Sequence, residues 1–232
     1  MARAALDLLF PPRCALCKRV GLELCDDCIA GFHPIGDSFC PTCGEPQAAS
    51  NICRRCIADP PAFEYVRSAY RFEAGVRKAI HILKYNGRRR LAAPLAIAMA
   101  QKLPKPYSDV RMCPVPLYPM RQAKRGYNQS RLLAVELAYC WNLTCLPDHA
   151  LRRIRSTSSQ VGLDYADRRA NVSHAFSADP DMISGHAILL VDDVCTTGAT
   201  MNACAEVLLA AGATRVTGVT LARASSDGRP GR

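Results

Sequence analysis

The most constraining feature of the sequence is one stretch in its last quarter, where residues 188–200 read Ile-Leu-Leu-Val-Asp-Asp-Val-Cys-Thr-Thr-Gly-Ala-Thr. A short apolar run ends at two adjacent carboxylates, and a loop of small and hydroxylated residues follows. A helical pattern then covers residues 201–211, with Gly212 as its stop. The stretch therefore predicts a buried strand, a tight loop and a helix in direct succession.

The two parts of this stretch suit the two ends of a sugar phosphate. Asp192 and Asp193 offer carboxylate oxygens that accept hydrogen bonds from sugar hydroxyls. Residues 196–200 open a helix, where free backbone N–H groups, hydroxyls and the positive helix end favour a phosphate. The alternative is an ordinary strand-turn-helix with an acidic turn. The succession of apolar, acidic and small hydroxylated residues over thirteen consecutive positions favours a ligand site instead.

A second strong feature is the spacing of the cysteines. Eight of the thirteen lie within the first 56 residues as four Cys-x-x-Cys pairs, namely Cys14/Cys17, Cys25/Cys28, Cys40/Cys43 and Cys53/Cys56. One such pair chelates a metal from a tight turn and two pairs complete a tetrahedral thiolate site, so the chain is expected to bind two structural Zn²⁺ ions. The spacing leaves open whether the pairs combine sequentially or as an interleaved cross-brace.

Other interpretations of these cysteines are weaker. A disulfide framework conflicts with an N-terminus that lacks a secretory signal, and the protein is expected to be cytoplasmic. A redox pair lacks a thioredoxin-like strand and helix around it. Residues 1–60 contain few large apolar side chains, so zinc must supply much of the folding free energy there. This module suits either a docking or nucleic-acid platform or a purely structural cap.

The rest of the chain alternates strand-like and helical patterns beyond a boundary at Pro60 and Pro61. The strands are expected at 65–72, 110–116, 187–191 and 216–221, and the helices at 74–83, 91–103, 127–141 and 201–211. This alternation predicts an α/β fold with a parallel sheet flanked by helices. Residues 152–171 are polar and basic and are expected to form a loop, and residues 225–232 are expected to be disordered.

Positive charge is concentrated in the middle of the chain. The formal net charge is +10, and residues 77–131 contain thirteen basic residues but one acidic residue, Asp109. This bias suits a polyanion, either a phosphorylated small molecule or a nucleic-acid backbone, whereas solvation of exposed faces explains it less well. No apolar run of 18 residues exists, so no membrane span is expected.

Some of these basic residues are candidates for the sugar-phosphate site, because open α/β sheets bind ligands beyond the carboxyl ends of their strands. Lys84 and Tyr85 precede an arginine run at 88–90, where cations can bind the phosphate groups of a ligand. Favourable basic residues at a helix C-terminus are the alternative there. Arg121 and Arg125 follow the next predicted strand, and their guanidinium groups suit phosphate oxygens.

The stretch at 188–200 resembles the PRPP-binding motif of type I phosphoribosyltransferases, in which four apolar residues, two acids and two variable positions precede Thr-Thr-Gly-x-Thr (PRPP is 5-phosphoribosyl-1-pyrophosphate). Residues 8–222 as a whole resemble the ComF family, competence-associated proteins with an N-terminal zinc ribbon and a phosphoribosyltransferase domain. The matching pieces are the cysteine pairs, Leu83-Lys84-Tyr85, Pro114-Val115-Pro116, Arg125-Gly126-Tyr127-Asn128-Gln129, and the spaced set Arg153, Thr157, Gln160, Leu163, Arg168 and Asn171.

The resemblance implies a domain plan and a role for each matching segment. A double zinc-ribbon module would occupy residues 1–60, and a phosphoribosyltransferase-like domain would occupy residues 61–224. The acids would hold the ribose 2- and 3-hydroxyls, and Lys84 would lie in a pyrophosphate loop. The PRPP-binding set would comprise Lys84, Tyr85, Arg121, Arg125, Asp192, Asp193, Val194, Cys195, Thr196, Thr197, Gly198, Ala199 and Thr200. A mobile hood would include Arg153, Thr157, Gln160, Arg168 and Asn171.

Two functions remain open from the sequence. One is enzymatic: Mg²⁺-dependent displacement at ribose C1, with pyrophosphate leaving and an acceptor that the sequence does not identify. The other is a non-catalytic, PRPP-responsive protein that binds single-stranded DNA and serves the DNA-uptake machinery of natural transformation, as the family resemblance implies. Four tyrosines among the basic residues can stack on bases, although a place in the core or at its rim is the simpler role. They are Tyr85, Tyr107, Tyr118 and Tyr127. The chain has neither a Walker A loop nor a Gly-x-Gly-x-x-Gly loop, which argues against ATPase and dinucleotide-binding functions.

Overall fold

The computed structural model describes residues 11–155 and 175–224. The strands in this part of the chain are β1 (Val66–Arg71), β2 (Val110–Pro114), β3 (Leu151–Arg153), β4 (Phe176–Ala178), β5 (Ala187–Cys195) and β6 (Arg215–Arg223). The helices are α1 (Asp26–Ala30), α2 (Arg54–Ala58), α3 (Ala74–Tyr85), α4 (Ala92–Lys102), α5 (Pro119–Arg125), α6 (Gln129–Trp141), α7 (Pro180–Ile183) and α8 (Ala199–Ala210). A 3-10 turn at Arg89–Leu91 leads directly into α4.

Four strands form one parallel sheet in the order β1-β6-β5-β2, and β3 and β4 form a separate antiparallel pair. Parallel neighbours need crossover connections, and these bring helices onto both faces of the sheet. Along β5, Leu189 and Val191 join the core on the side of α3, α4 and α6, whereas Ile188 and Leu190 join the core on the side of α8. The predicted α/β fold with a parallel sheet flanked by helices is confirmed.

Strand β5 is longer than the sequence predicts, because it continues through the acidic pair to Cys195 instead of ending at residue 191. The edge partner β2 stops where Pro114 lies opposite Val191. The other partner, β6, extends further and places Arg223 opposite Cys195. Backbone groups of β5 beyond Val191 therefore still find hydrogen-bonding partners in β6, so the two acids lie within a strand rather than after it.

Further differences lie in the regions with weak apolar periodicity. Helix α5 and the strands β3 and β4 are absent from the sequence-based prediction. Residues 127 and 128 precede α6 instead of belonging to it, because the Asn128 side chain accepts a hydrogen bond from the Ser130 N–H at 3.0 Å and caps the helix. Gly126 ends α5 with a φ of +81°, in the left-handed region that favours glycine.

The cysteine-rich segment packs against the sheet rather than standing apart from it. Cys14 and Phe32 belong to the core cluster that contains Tyr70 of β1, and the rings of Phe32 and Tyr70 meet edge to face at 5.3 Å. Cys43 belongs to the cluster on the other side, together with Phe63. The segment thus shares its apolar core with both faces of the sheet. None of the helices in the described ranges is long and apolar enough to cross a lipid bilayer.

Candidate functional site

Asp192 and Asp193 lie near the carboxyl end of β5, and each is held by a polar residue at the start of α6. Ser130 Oγ donates a hydrogen bond to Asp192 Oδ1 at 2.6 Å. Gln129 Nε2 donates one to Asp193 Oδ1 at 2.9 Å. Because the Asn128 cap fixes where α6 begins, the same cap also fixes the two side chains that orient the carboxylates.

Lys84 brings a positive charge to these acids from the last turn of α3. Its Nζ forms an ion pair with Asp193 Oδ2, and both side chains are largely buried. Burial alone would lower the pKa of Lys84, but the charge and hydrogen bond of Asp193, followed by the charge of Asp192, raise it. Lys84 is therefore a protonated partner of the acidic pair at neutral pH. It lies in a helix, although the family resemblance implies a loop.

Asp192 is the more weakly paired of the two acids. Burial, and then the charge of Asp193, raise the pKa of Asp192 to about 7, although the hydrogen bond from Ser130 opposes this shift. Its Oδ1 accepts hydrogen bonds from Ser130 and from the Asp193 N–H. No hydrogen bond from the described residues reaches its Oδ2. That oxygen is available to a ligand hydroxyl or a cation.

The acids line a cavity of about 380 Å³ together with most of the phosphate loop (residues 196–200), which contributes Thr196, Gly198, Ala199 and Thr200 to the lining. Gly198 in this loop has a φ of +85°, and the Thr197 side chain accepts a hydrogen bond from the Ala199 N–H at 3.3 Å. The turn leads into the twelve residues of α8, whose first N–H groups have no partners within the helix. The N-terminus of α8 therefore offers an anion site in the same cavity as the carboxylates.

Two arginines add positive charge to this cavity. Arg121 comes from α5 and Arg153 from the end of β3, and both line the cavity. Burial, and then the nearby charge of Arg121, lower the pKa of Arg153. Two neighbouring guanidinium groups in a partly buried cavity can bind a multivalent anion such as pyrophosphate.

Most of the predicted PRPP-binding residues converge on the cavity, but Tyr85, Arg125 and Thr197 do not line it. The lining includes Lys84, Arg121, Asp192, Asp193, Val194, Cys195, Thr196, Gly198, Ala199 and Thr200. Tyr85 and Arg125 lie outside it, with the Arg125 guanidinium 5.2 Å from the Tyr85 ring centre. Arg125 also donates a hydrogen bond to Gln129 Oε1 and so orients the side chain that holds Asp193. Of the hood set, Arg153 lines the cavity, and Thr157, Gln160, Arg168 and Asn171 lie outside the described residues.

The cavity lining also includes residues that were not singled out as site residues from the sequence, among them Phe72, Gln129 and Ser130. Gln129 ends the Arg-Gly-Tyr-Asn-Gln block, so the block itself was the available signal. Ser130 and Phe72 have no comparable sequence signal. Their roles arise from the helix cap at Asn128 and from the end of β1, which only the folded chain brings to the acids.

The eight cysteines of the first 56 residues form two groups of four sulfur atoms. The first zinc set is Cys14, Cys17, Cys25 and Cys28, and the second zinc set is Cys40, Cys43, Cys53 and Cys56. Within each set all sulfur atoms lie within 4.8 Å of one another. The pairs Cys14–Cys28, Cys17–Cys25 and Cys43–Cys53 are 3.7, 3.6 and 3.7 Å apart.

These separations fit zinc. Four thiolates about 2.3 Å from a tetrahedral Zn²⁺ are about 3.8 Å from one another. The grouping also decides between the two pairings that the sequence left open, because each set combines neighbouring Cys-x-x-Cys pairs. The pairing is sequential, not a cross-brace.

Comparisons with known proteins agree with this architecture. The family model described as a double zinc ribbon domain matches residues 5–57, and the model described as a phosphoribosyl transferase domain matches residues 148–232. Among solved structures, part of the chain is similar to the glutamine PRPP amidotransferase of B. subtilis. That likeness has a TM-score of 0.41 and 20% identity over 60% of this chain and 30% of the other, which is too distant to bear on function.

Similar curated proteins come from several bacteria. The DNA utilization protein YhgH of Escherichia coli strain K12 is 32% identical over 90% of this chain and 96% of its own length. Competence protein F of Haemophilus influenzae is 31% identical over 80% of this chain and 85% of its own length. Competence protein ComFC of Bacillus subtilis is 28% identical, with coverages of 87% and 84%. With both domain models matched and such relatives along most of its length, the chain belongs to the ComF family.

Proposed function

We propose that the protein binds PRPP in the cavity between β5, the start of α6 and the start of α8, and that it transfers the phosphoribosyl group to a nitrogenous acceptor. One observation supports this above all: the carboxylates of Asp192 and Asp193 and the phosphate loop line the same cavity. Acceptors for sugar hydroxyls and donors for a phosphate are thus available to one ligand of the size of a phosphorylated pentose.

Each part of PRPP has a matching group in the cavity. The ribose 2- and 3-hydroxyls donate to the carboxylates, which Ser130 and Gln129 hold in place. The 5-phosphate accepts hydrogen bonds from the phosphate loop and the first N–H groups of α8. Arg121 and Arg153 bind the pyrophosphate group.

Mg²⁺ is expected to accompany PRPP, and the residues present fit it. Asp192 and Asp193 supply carboxylate oxygens, the ligand type that Mg²⁺ prefers, and Asp192 Oδ2 receives no hydrogen bond from the described residues. When bound, Mg²⁺ neutralises negative charge on the departing pyrophosphate.

The reaction exchanges one bond at ribose C1 for another. The bond from C1 to the pyrophosphate oxygen breaks, the bond from C1 to the acceptor nitrogen forms, and the acceptor loses a proton. Positive charge develops on the ribose ring on the way, and the ionised carboxylates beside it stabilise that charge. Arg121 and Arg153 stabilise the negative charge that grows on the pyrophosphate.

Isothermal titration calorimetry with PRPP and Mg²⁺ tests the binding site. The double variant with Asp192→Asn and Asp193→Asn should lose binding, and Asp109→Asn, an exposed acid before β2, should bind like the wild type. Unchanged binding in the double variant would show that the acids do not hold the ribose. Pyrophosphate release in the presence of a panel of bases and amines then tests transfer.

A second candidate function is PRPP-responsive binding of single-stranded DNA without catalysis. Relatives of the chain carry the names DNA utilization protein and competence protein, and Arg125 stacks on Tyr85, which is exposed. Exposed aromatic rings beside arginines suit stacked bases. Tyr127 does not suit this role, since it is buried and donates its hydroxyl to the Leu83 carbonyl.

The two candidates give different results in the same assays. If no acceptor in the panel causes pyrophosphate release, and if the affinity for single-stranded DNA falls steeply with salt concentration, the second function is favoured. Release of pyrophosphate with any acceptor favours the first.

A further inference from the structure

Arg223, the last residue of β6, is a charged side chain that is only 2% exposed. In the sheet it lies opposite Arg71 of β1 on one side and Cys195 of β5 on the other. A buried guanidinium group must be paired and hydrogen-bonded to be tolerated. The partners of Arg223 come from two different parts of the molecule.

One group of partners belongs to the second zinc set and its surroundings. Arg223 Nε donates to Glu45 Oε2 at 3.1 Å, and Nη2 contacts the same oxygen. Its Nη1 donates to the backbone carbonyl of Cys43, which is one of the four cysteines of that set. Arg55 of α2 lies near the same carboxylate and donates to Cys43 Sγ at 3.3 Å.

The other partner lies at the entry to the phosphate loop. Arg223 Nη1 contacts Cys195 Sγ at 3.0 Å, and Cys195 is the residue directly before that loop. The backbone of the next residue after Arg223 adds a hydrogen bond, because Ala224 N–H donates to the Cys195 carbonyl at 2.9 Å. One guanidinium group therefore touches both a zinc-ligand backbone and the strand end that leads into the anion site.

A second contact between the same two regions supports this connection. Phe63 packs in one core cluster with Cys40, Cys43 and Cys56. Its ring also lies 3.6 Å from the position that a Cβ would occupy at Gly198 in the phosphate loop. The second zinc set is thus connected to the phosphate loop by an apolar contact through Phe63 and to Cys195, directly before the loop, by polar contacts through Arg223.

We propose that Arg223 is a positioning residue that holds the phosphate loop in its anion-binding conformation by anchoring Cys195 to the second zinc ribbon. This inference rests on the proposed function, since it assumes that the loop binds the 5-phosphate of a sugar. Zinc in the second set would stabilise the turn that presents the Cys43 carbonyl and Glu45. Arg223, held by these two groups, in turn fixes the position of Cys195 before the phosphate loop.

The test measures the affinities of ribose 5-phosphate and of pyrophosphate by calorimetry, with zinc content determined in parallel. The main variant combines Arg223→Met with Glu45→Gln, so that no buried charge of this pair is left without its partner. Ribose 5-phosphate should bind about tenfold more weakly, the effect of losing one well-placed hydrogen bond to a charged group. Pyrophosphate affinity should stay unchanged, because Arg121 and Arg153 are untouched. Zinc content should also stay unchanged, because none of the eight cysteines of the two zinc sets is replaced.

Two further variants separate positioning from general stability. Arg223→Lys keeps the charge without the planar fork and should restore part of the affinity for ribose 5-phosphate. Arg55→Met removes the arginine that contacts Cys43 Sγ within the zinc ribbon, and it should leave ribose 5-phosphate binding unchanged.

Each outcome decides the question. Equal affinity of the wild type and the double variant for ribose 5-phosphate overturns the positioning role of Arg223, while the proposed function stands. An equal loss for both ligands also overturns it, because it shows a general structural role. Absence of ribose 5-phosphate and PRPP binding in the wild type overturns the proposed function and this inference together.

Discussion

The ammonium group of Lys84 forms an ion pair with Asp193 Oδ2, which joins the last turn of α3 to the central strand β5 inside the candidate site. Gln129 donates to the other oxygen of the same carboxylate. Asp193 is therefore paired on both oxygens, whereas Asp192 Oδ2 receives no hydrogen bond from the described residues. The two neighbouring acids differ in role: Asp193 is anchored by protein groups, and Asp192 is the more available.

Replacing Lys84 by methionine is expected to destabilise the protein by removing the partner of a buried carboxylate. The loss should be about 2 kcal/mol, less than for a fully buried pair because Lys84 is partly exposed. Urea unfolding with zinc present measures it. The double variant with Lys84→Met and Asp193→Asn should regain most of the stability, and failure to regain it would contradict the ion-pair assignment.

Binding of PRPP should strengthen as pH rises from about 6 to about 8, since the hydroxyls bind the ionised form of Asp192 and its pKa is about 7. The hydrogen bond from Ser130 lowers this pKa, so Ser130→Ala should raise the pKa and move the midpoint of the binding profile to higher pH. Titrations of wild type and variant across this range measure the shift. The phosphates of PRPP titrate identically in both, and coincident midpoints would contradict the role of Ser130.

Zinc content offers a direct check on the two cysteine sets. The purified protein should contain two zinc ions per chain by atomic emission, and Cys25→Ser should reduce this to about one. Cys140 is an exposed cysteine outside both sets, so Cys140→Ser should leave two. Fewer than two zinc ions per chain, in protein purified from zinc-containing medium, would contradict the assignment.

The phosphate loop depends on a glycine with a left-handed backbone. Gly198 has a φ of +85°, so Gly198→Ala should cost about 1 kcal/mol of stability and weaken ribose 5-phosphate binding by distorting the loop. Gly185 is a matched control, with a φ of +76° and open space around the position of a Cβ. Gly185→Ala should cost similar stability in urea unfolding, and equal ligand affinity in the two variants would show that the loop tolerates the change.

The sequence predicted the parts of the fold whose periodicity is strong. The run at 187–191 and the helical pattern at 201–211 both correspond to observed elements, since buried apolar residues at regular spacing allow few alternatives. Helix α5 was missed because its seven residues include no buried side chain and hence no apolar face to detect. Strands β3 and β4 have three residues each, too few for a period to show.

The site was predictable where one local segment supplies its groups. The acids and the phosphate loop are adjacent in sequence, and their spacing alone placed them together. Arg223 could not be found in this way, because its partners Glu45 and Cys43 come from the opposite end of the chain. Arg125, which the sequence predicts to bind phosphate, does not line the cavity; it lies over the Tyr85 ring and donates a hydrogen bond to Gln129.

The central claim is that Asp192 and Asp193 hold ribose hydroxyls while the phosphate loop holds the 5-phosphate, and one calorimetric cycle tests it. The cycle compares ribose 5-phosphate with its 2,3-dideoxy analogue on the wild type and on the double variant with Asp192→Asn and Asp193→Asn. The wild type should prefer the ligand with hydroxyls by about tenfold or more. The variant should bind the two ligands with nearly equal affinity, and a preference that survives in the variant undiminished would contradict the account.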